Sequence, residues 1–557
     1  MVCLLAIASV DAQSPRIAHI QILAFNDFHG TLEPRSGSSG RIGSTDAGGV
    51  EYLAADLARL KAANPNTIIV SAGDNIGASP LLSSMFHDEP TIEALGAAGL
   101  QLSAVGNHEF DEGWAELLRM QKGGCHPVDG CQDHTPFAGA RFQYLAANVW
   151  LDPRTADRAS LRRFGRSTAG VRQRLLPASA VRTVAGVKVG FIGLTLRTAP
   201  QLVSAIGIKG ITFLPEAQAA NAAARALRQR GVRTIVVLIH EGGTPEGTDV
   251  NGCENFTGPI VDIVTAMSAD IDVVVSGHTH EAYVCTIGGK LVTSATNYGR
   301  LITDITLDID ARNGRVVTKQ ARNVIVTHDL PKVAEETALI AHYRPFAATL
   351  GNRVVGVLQA PIQRSPNAAG ECPIGDVIAD GVLEGARDPA AGGAVAALMN
   401  AGGIRADLLG TPGATGTRTV TYEQAFDVLP FGNQILVKTM TGEAIARLLE
   451  QQFENRTSEC GRLLQIAGLS YSYDPNRPAG GRVDRASIMI GGQPLVSSNR
   501  YRVASNDFLW AGGDNFTVAR EAFDPVGVGL DIDLFVDYLG RHMPLPVPAA
   551  DRVRRVP

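Results

Sequence analysis

Five short apolar runs in the first 300 residues share one layout: IQILAF before Asn26, TIIVSAG before Asp74, LSAVG before Asn107, TIVVLI before His240 and DVVVSG before His278. Each is rich in β-branched residues and continuously apolar rather than alternating, which is the pattern of strands covered on both faces. Stretches with helical spacing, such as EYLAADLARLKAA and EAQAANAAARALRQRG, lie between several of them. This alternation predicts a layered α/β architecture. In such sheets sites form beyond the carboxyl ends of the strands. Every one of the five runs ends at a potential metal ligand.

After about Asp310 the organisation changes. Residues 329–350, DLPKVAEETALIAHYRPFAATL, read as a helix with a proline break, a connector between domains. A second unit with mixed strand and helix signals and recurrent glycine turns follows from about Arg353. The 557 residues are too many for one hydrophobic core and fit two or three domains. The divisions are a domain over 16–325, a helical hinge over 326–351, a second domain over 352–545, and an extended or disordered tail over 546–557. There is no internal repeat.

Composition narrows the function classes. With 45% hydrophobic and 19% charged residues the chain is an ordinary globular protein. Its formal charge of −5 gives no general attraction to a nucleic-acid polymer or an acidic membrane. A polyanionic substrate therefore needs local positive charge, from metal ions or arginines. Val2 to Val10 is too short to span a bilayer. It reads as the core of a signal peptide over 1–12 with cleavage near Ala12, its missing positive segment pointing to a truncated start; a buried first strand is the alternative. No later segment is apolar enough to cross a membrane, and the lack of a hydrophobic tail argues against a GPI anchor. The expected location is periplasmic or secreted.

Cysteine usage agrees. Of seven cysteines, six remain if Cys3 leaves with the signal, and an even number fits an oxidising compartment. Locality favours Cys125–Cys131, after which Cys253–Cys285 and Cys372–Cys460 follow. Zinc binding by thiolates lacks any CxxC pair.

The candidate chemistry sits at the strand ends. In Asp27-x-His29 two ligands lie two residues apart and, if extended, face the same side. His278-x-His280 repeats that geometry, and Asp74, Asn107 and His240 complete the set. Imidazole with carboxylate suits zinc, manganese, iron, nickel or cobalt better than calcium. Seven ligands are too many for one ion, so two divalent ions sharing one carboxylate are expected, with zinc preferred and manganese or cobalt as alternatives.

These residues resemble the calcineurin-like metallophosphoesterases, in the order D-x-H, G-D, G-N-H-E, H and G-H-x-H. The resemblance sharpens to the secreted bacterial 5′-nucleotidase family through FNDFHGTLEP, GNHEFDEG, SGHTH, NAGGIRADL and GGDNF. It implies a four-layer α-β-β-α metallophosphoesterase sandwich followed by an α/β (α+β) substrate-binding domain. It implies one metal held by Asp27, His29, Asp74 and His280, and a second by Asp74, Asn107, His240 and His278, with Asp74 bridging. It implies that His108 meets the phosphate or the leaving oxygen while Asp111 orients it. Asp111 also reads as a helix cap in FDEGWAEL. Glu109 and Glu112 are candidate partners for ligating imidazoles, and Glu112 is expected to face solvent. Gly106 is expected to let the chain turn.

The second domain is expected to select the substrate. Asn400 and Arg405 in NAGGIR are placed to meet an anion. The resemblance implies that Phe431 and Phe508 clamp a base and that Asp514 accepts bonds from ribose hydroxyls. Arg364 is the candidate for a further arginine before Gly370. The leading expectation is metal-dependent hydrolysis of nucleoside 5′-phosphates, extending to di- and triphosphates or nucleotide sugars, by in-line attack of activated water. The small-molecule nucleotide is the expected partner, and the protein is expected to be a monomer or homodimer. Site halves split between domains point to a domain rotation during turnover. The alternatives are a 2′,3′-cyclic phosphodiesterase with 3′-nucleotidase activity, a thiosulfohydrolase-like enzyme, and a non-catalytic nucleotide-binding protein.

Overall fold

The computed structural model describes residues 16–168, 170–203, 207–413, 416–453 and 463–556. The signal-peptide reading of residues 1–12 lies outside them, as does Cys460. Two six-stranded sheets build the first half. One runs Arg315–Ile325, Leu301–Asp310, Ile17–Phe25, Thr67–Ser71, Leu102–Ala104, Gln143–Leu145. The other runs Ala282–Ile287, Lys290–Ala295, Val273–Ser276, Thr234–His240, Val187–Thr195, Ser179–Val184.

The continuous apolar runs follow from burial on both faces. Ile20, Ile22 and Ala24 point between the sheets and pack with Val189, Phe191, Val236 and Leu238. Their neighbours Leu23 and Phe25 point outward, onto Leu53 and Leu57 of helix Val50–Ala63. On the other sheet Ile235, Val237 and Ile239 pack against helices Glu216–Gln229 and Pro259–Ala266. The result is the expected α-β-β-α sandwich.

Strand direction then places the site. Ile17–Phe25, Thr67–Ser71 and Leu102–Ala104 are parallel neighbours, as are Val187–Thr195, Thr234–His240 and Val273–Ser276. Their carboxyl ends lie at one edge of the sandwich, where His240 Nδ1 meets Ala72 O across the two sheets at 3.0 Å.

The connector departs from expectation. Helix Ala334–Gly351 runs on through Pro345 without a break. An interior proline costs a helix about 3 kcal/mol. Here the apolar face offsets it: Ile340, Tyr343 and Ala347 are buried in the first domain's core, and Tyr343 and Phe346 pack edge-on against Phe86. Residues 553–555 form a strand parallel to Leu469–Tyr473, and Arg552 pairs with Asp380 at 2.7 Å. Two backbone donors, Arg552 N and Val553 N, find acceptors on Glu371, so this segment is docked rather than a free tail.

The second half centres on a five-stranded sheet, Gln465–Ala467, Ala396–Met399, Arg500–Asn506, Gln434–Thr441, Phe523–Leu530, flanked by helices Pro373–Ala386 and Asp531–Arg541. Disulfides join Cys125–Cys131 and Cys253–Cys285. Cys372 is also disulfide-bonded.

Candidate active site

Asp27, His29, Asp74, Asn107 and His240 are buried at the strand ends, with His278 and His280 half-buried beside them. Their backbone is not the extended one that the two-residue spacing suggested. Asp27, His29, Asp74, His278 and His280 have φ of 50°, 48°, 48°, 74° and 58°. These are left-handed values that non-glycine residues seldom adopt, and such strain persists where surrounding structure imposes it. Each ligand pair therefore converges through tight turns after its strand.

Two triads result, Asp27 with His29 and His280, and Asp74 with His240 and His278; within each, one donor atom per residue lies within 4.8 Å of the others. His29 Nε2 lies 3.8 Å from Asp27 Oδ1 and 3.9 Å from Asp74 Oδ2, between the two carboxylates. His108 also falls within this reach, with His29 and Asp74.

The donor set fits metal ions. Asn107 Oδ1 and His240 Nε2 are buried without a hydrogen-bond partner, a state proteins avoid unless something else satisfies the atom. His240 Nε2 is 2.9 Å from Asp74 Oδ2 but is not aligned with it as a hydrogen bond, as expected of two ligands aimed at one cation. His29 Nδ1 and His240 Nδ1 point at the carbonyls of Gly77 and Ala72, at 2.9 and 3.0 Å. Donation there leaves both Nε2 lone pairs facing inward. Burial, then the Arg405 charge, holds His29 well below its usual pKa. Burial, then His240, brings His278 down to about 3. Both are the neutral form that ligates. At His240 burial opposes a charge, but Asp74 and Asp27 together outweigh it and raise the pKa to about 9, so a metal ion would have to displace the Nε2 proton before this ring ligates.

Glycine is required at two points because a carboxylate occupies the space. A Cβ on Gly106 would lie 2.0 Å from Asp74 Oδ1, and one on Gly277 would lie 2.7 Å from Asp27 Oδ2. Gly106 thus makes room for Asp74 where the chain leaves its strand.

Glu109 also differs from expectation. Its buried carboxylate touches no imidazole. It accepts from the backbone N–H of Asp74 (2.9 Å), Asn75 (2.9 Å) and Gly106 (2.5 Å), and from the Asn75 side chain at 3.3 Å. It ties the loop carrying Asp74 to the loop carrying Asn107. Burial, then the Asp74 charge, pushes its pKa up. Glu112 is exposed and meets His87, which is not among the ligands. Asn26, noted in the sequence only as the end of the first apolar run, donates from Nδ2 to Asp27 Oδ2 at 2.7 Å and accepts from Ala295 N at 2.8 Å. Its place before D-x-H at a strand end was the available signal.

His108 Nδ1 lies 2.7 Å from Asp111 Oδ2. Burial lowers the His108 pKa, but Asp111 and Asp74 outweigh it and leave the imidazole raised. Helix Trp114–Lys122 has Gly113 as its N-cap with no side-chain cap, so Asp111 serves the histidine and not the helix.

The second half reaches the same place. Arg405 Nη2 is 3.5 Å from His29 Nε2, and its Nε is buried without a hydrogen-bond partner. The Phe431 ring stacks on His108 with centroids 5.7 Å apart, under the Arg405 guanidinium at 5.9 Å. Arg364 donates to the Arg405 carbonyl at 2.9 Å, behind that arginine. Asn400 donates to Asp514 Oδ2 at 2.8 Å and accepts from Asn506 at 2.9 Å. Phe508 is half-buried and packs on Gly513, where a Cβ would come within 2.4 Å of its ring.

Family models match both halves of the chain. That for calcineurin-like phosphoesterases covers residues 20–282, and that for the 5′-nucleotidase C-terminal domain covers residues 354–521. The chain is 31% identical to the endonuclease YhcR of Bacillus subtilis over 516 residues, 91% of this chain but 38% of that protein. It is 31% identical to the cell wall protein Lmo0130 of Listeria monocytogenes over 546 residues, 93% of this chain and 67% of that one. The crystal structure of a 5′-nucleotidase precursor from Thermus thermophilus superposes with a TM-score of 0.77 at 25% identity, covering 97% of this chain and 99% of that chain.

Proposed function

The chain belongs to the 5′-nucleotidase family, calcineurin-like phosphoesterases with a 5′-nucleotidase C-terminal domain, and is a phosphoric ester hydrolase; from that premise we propose that it hydrolyses nucleoside 5′-phosphates to nucleoside and phosphate. The observation that carries the reading is the meeting of both halves at one point: a guanidinium beside His29 and an aromatic ring on His108. A phosphate at the histidines and a base at the ring match a nucleotide, and a simple phosphomonoester has no use for the ring.

In this proposal Asp27, His29, Asp74 and His280 hold one divalent ion, and Asp74, Asn107, His240 and His278 hold the other. Two such ions bind phosphoryl oxygens and make water nucleophilic at neutral pH. The chain's own residues do the rest. Asp111 fixes the His108 tautomer through Nδ1 and favours the protonated ring, leaving Nε2 to donate to the phosphate or the departing oxygen. Arg405 neutralises phosphate charge by forked hydrogen bonds, with Arg364 supporting its backbone. Asn400 holds Asp514, which accepts from ribose hydroxyls, and Phe431 and Phe508 take the base. Arg405 lies so close to His29 that substrate entry and product release require the halves to part, which supports a domain rotation. The disulfides support an exported protein. No helix among the described residues is long and apolar enough to cross a membrane.

A phosphodiester substrate is the second reading, because a relative matching 91% of this chain is named an endonuclease. The test is chromatographic identification of the products that the purified zinc- or manganese-loaded chain forms from AMP, UDP-glucose, a 2′,3′-cyclic nucleotide, p-nitrophenyl phosphate and single-stranded DNA, with free phosphate measured alongside for the monoesters. AMP should be the best substrate. An untouched AMP alongside a cleaved cyclic nucleotide or DNA reverses the order of the two readings.

A further inference from the structure

A second group of metal-binding side chains lies outside this centre, where three segments meet. His87 sits in the turn after Leu81–Ser84, Glu112 lies in the turn before helix Trp114–Lys122 and Glu116 in its first turn, and His126 and Asp129 lie in the loop closed by Cys125–Cys131. The two imidazoles are stacked, with centroids 3.7 Å apart and planes 22° apart. At one end His87 Nε2 and His126 Nδ1 lie 2.9 and 3.1 Å from the same oxygen, Asp129 Oδ2. At the other end His87 Nδ1 is 2.8 Å and His126 Nε2 is 3.9 Å from Glu112 Oε2. The Asp129 backbone N–H donates to His126 Nδ1 at 3.2 Å. That bond uses the one lone pair on Nδ1, so the neutral ring carries its proton on Nε2, toward Glu112, and a metal ion at Nδ1 would take that lone pair over from the Asp129 N–H.

We propose that His87 Nε2, His126 Nδ1 and Asp129 Oδ2 form a third divalent transition-metal site, separate from the phosphoesterase centre. One donor atom from each of the three lies within 4.8 Å of the others. A carboxylate stands behind the far nitrogen of the imidazoles, the arrangement that fixes the tautomer of metal-ligating histidines. The disulfide between Cys125 and Cys131 closes the short loop that carries two of the ligands. His87 has a φ of 51°, a strained value in a non-glycine residue and of the kind that clusters at ligand sites. The Asp129 side chain is 46% exposed, so the open side of the site admits water as the remaining ligands. Two imidazoles and one carboxylate select zinc, cobalt, nickel or copper over calcium or magnesium.

The competing occupant is a proton. Burial opposes a charge on His87, but Glu112 and Asp129 outweigh it and raise the pKa to about 9. A doubly protonated His87 would donate to both carboxylates and hold the cluster together without a metal. Equilibrium dialysis of the full chain against buffered zinc at pH 8, with bound metal measured by mass spectrometry, separates the two. The wild type should bind one equivalent more than His126→Ala or Asp129→Asn, with turnover on AMP unchanged in both. Asp129→Asn alters only an exposed side chain and keeps the test valid if His126→Ala fails to fold. Glu112→Gln should weaken zinc at this site about 10–100-fold without abolishing it. Cobalt in place of zinc should give a visible spectrum that loses one component in Asp129→Asn. Equal zinc content in the wild type and Asp129→Asn at micromolar free zinc overturns the proposal and leaves the proton as occupant.

Discussion

Replacing Glu109 with alanine removes one carboxylate and strands the donors it serves. In the folded chain that carboxylate accepts from Asp74 N, Asn75 N and Gly106 N, with the Asn75 side chain as a fourth donor. A buried donor left without a partner costs about 1–3 kcal/mol. Three backbone donors place the loss at about 3–9 kcal/mol, and water entering the vacated space brings it to the lower end, about 3–5 kcal/mol. A domain of this size moves by about 2 °C per kcal/mol, so the melting temperature should fall by about 6–10 °C. The loops that carry Asp74 and Asn107 lose their tie, so bound metal should fall as well. Glu109→Gln keeps one oxygen but turns an amide NH₂ toward donors, and should lie between the two. Scanning calorimetry and metal analysis on the three proteins test this. A Glu109→Ala protein that melts within about 2 °C of wild type with full metal content would refute the reasoning, because the amides would then have found other acceptors.

Four further outcomes are expected. His108→Ala should lower kcat about 10²–10⁴-fold while leaving metal content unchanged; loss of metal instead would exchange the roles given to Asn107 and His108. Phe431→Ala should raise KM for AMP by about five- to 150-fold, the equivalent of about 1–3 kcal/mol of stacking, and leave ribose 5-phosphate hydrolysis nearly unchanged; equal effects on both substrates would remove the ring from base recognition. Burial, then the Glu335 and Glu51 charges, raises Glu336 to about 8. A carboxyl with its folded pKa above the unfolded value favours the folded state at low pH. Wild type should therefore lose stability between about pH 4.5 and 8 relative to Glu336→Gln, and parallel unfolding curves across that range would refute it. An engineered cross-link locking the two halves should slow turnover by trapping product, and undiminished turnover would exclude a required rotation.

Much of the first half was legible because burial on both faces leaves an unambiguous mark: continuous β-branched runs that end in polar residues. The candidate ligands were legible for a related reason, since few residue types bind divalent transition metals and each of these sits at a strand end. The local geometry was not. Spacing of two suggested extended backbone at Asp27 and His29, whereas the structure bends both into left-handed turns. Glu109 read as a partner for imidazoles because it stands beside His108 in the chain. Its actual partners are backbone amides, on loops 35 residues away as well as next door. Pro345 read as a break because the chain alone cannot show the aromatic packing that offsets a lost hydrogen bond. The last residues read as an extended or disordered tail, and what docks them is Glu371 and Asp380, partners from a distant segment.

The sequence by itself determined the layered α/β class, the order of potential ligands and the residue types available for chemistry, because periodicity and ligand chemistry are local properties. Tertiary structure alone decided which atoms converge. Two sheets had to stack with their strand ends at one edge before Asp27, Asp74 and His240 became neighbours, and the second half had to close before Arg405 reached His29 and Phe431 lay on His108. Those contacts link residues hundreds of positions apart, and no local pattern encodes them.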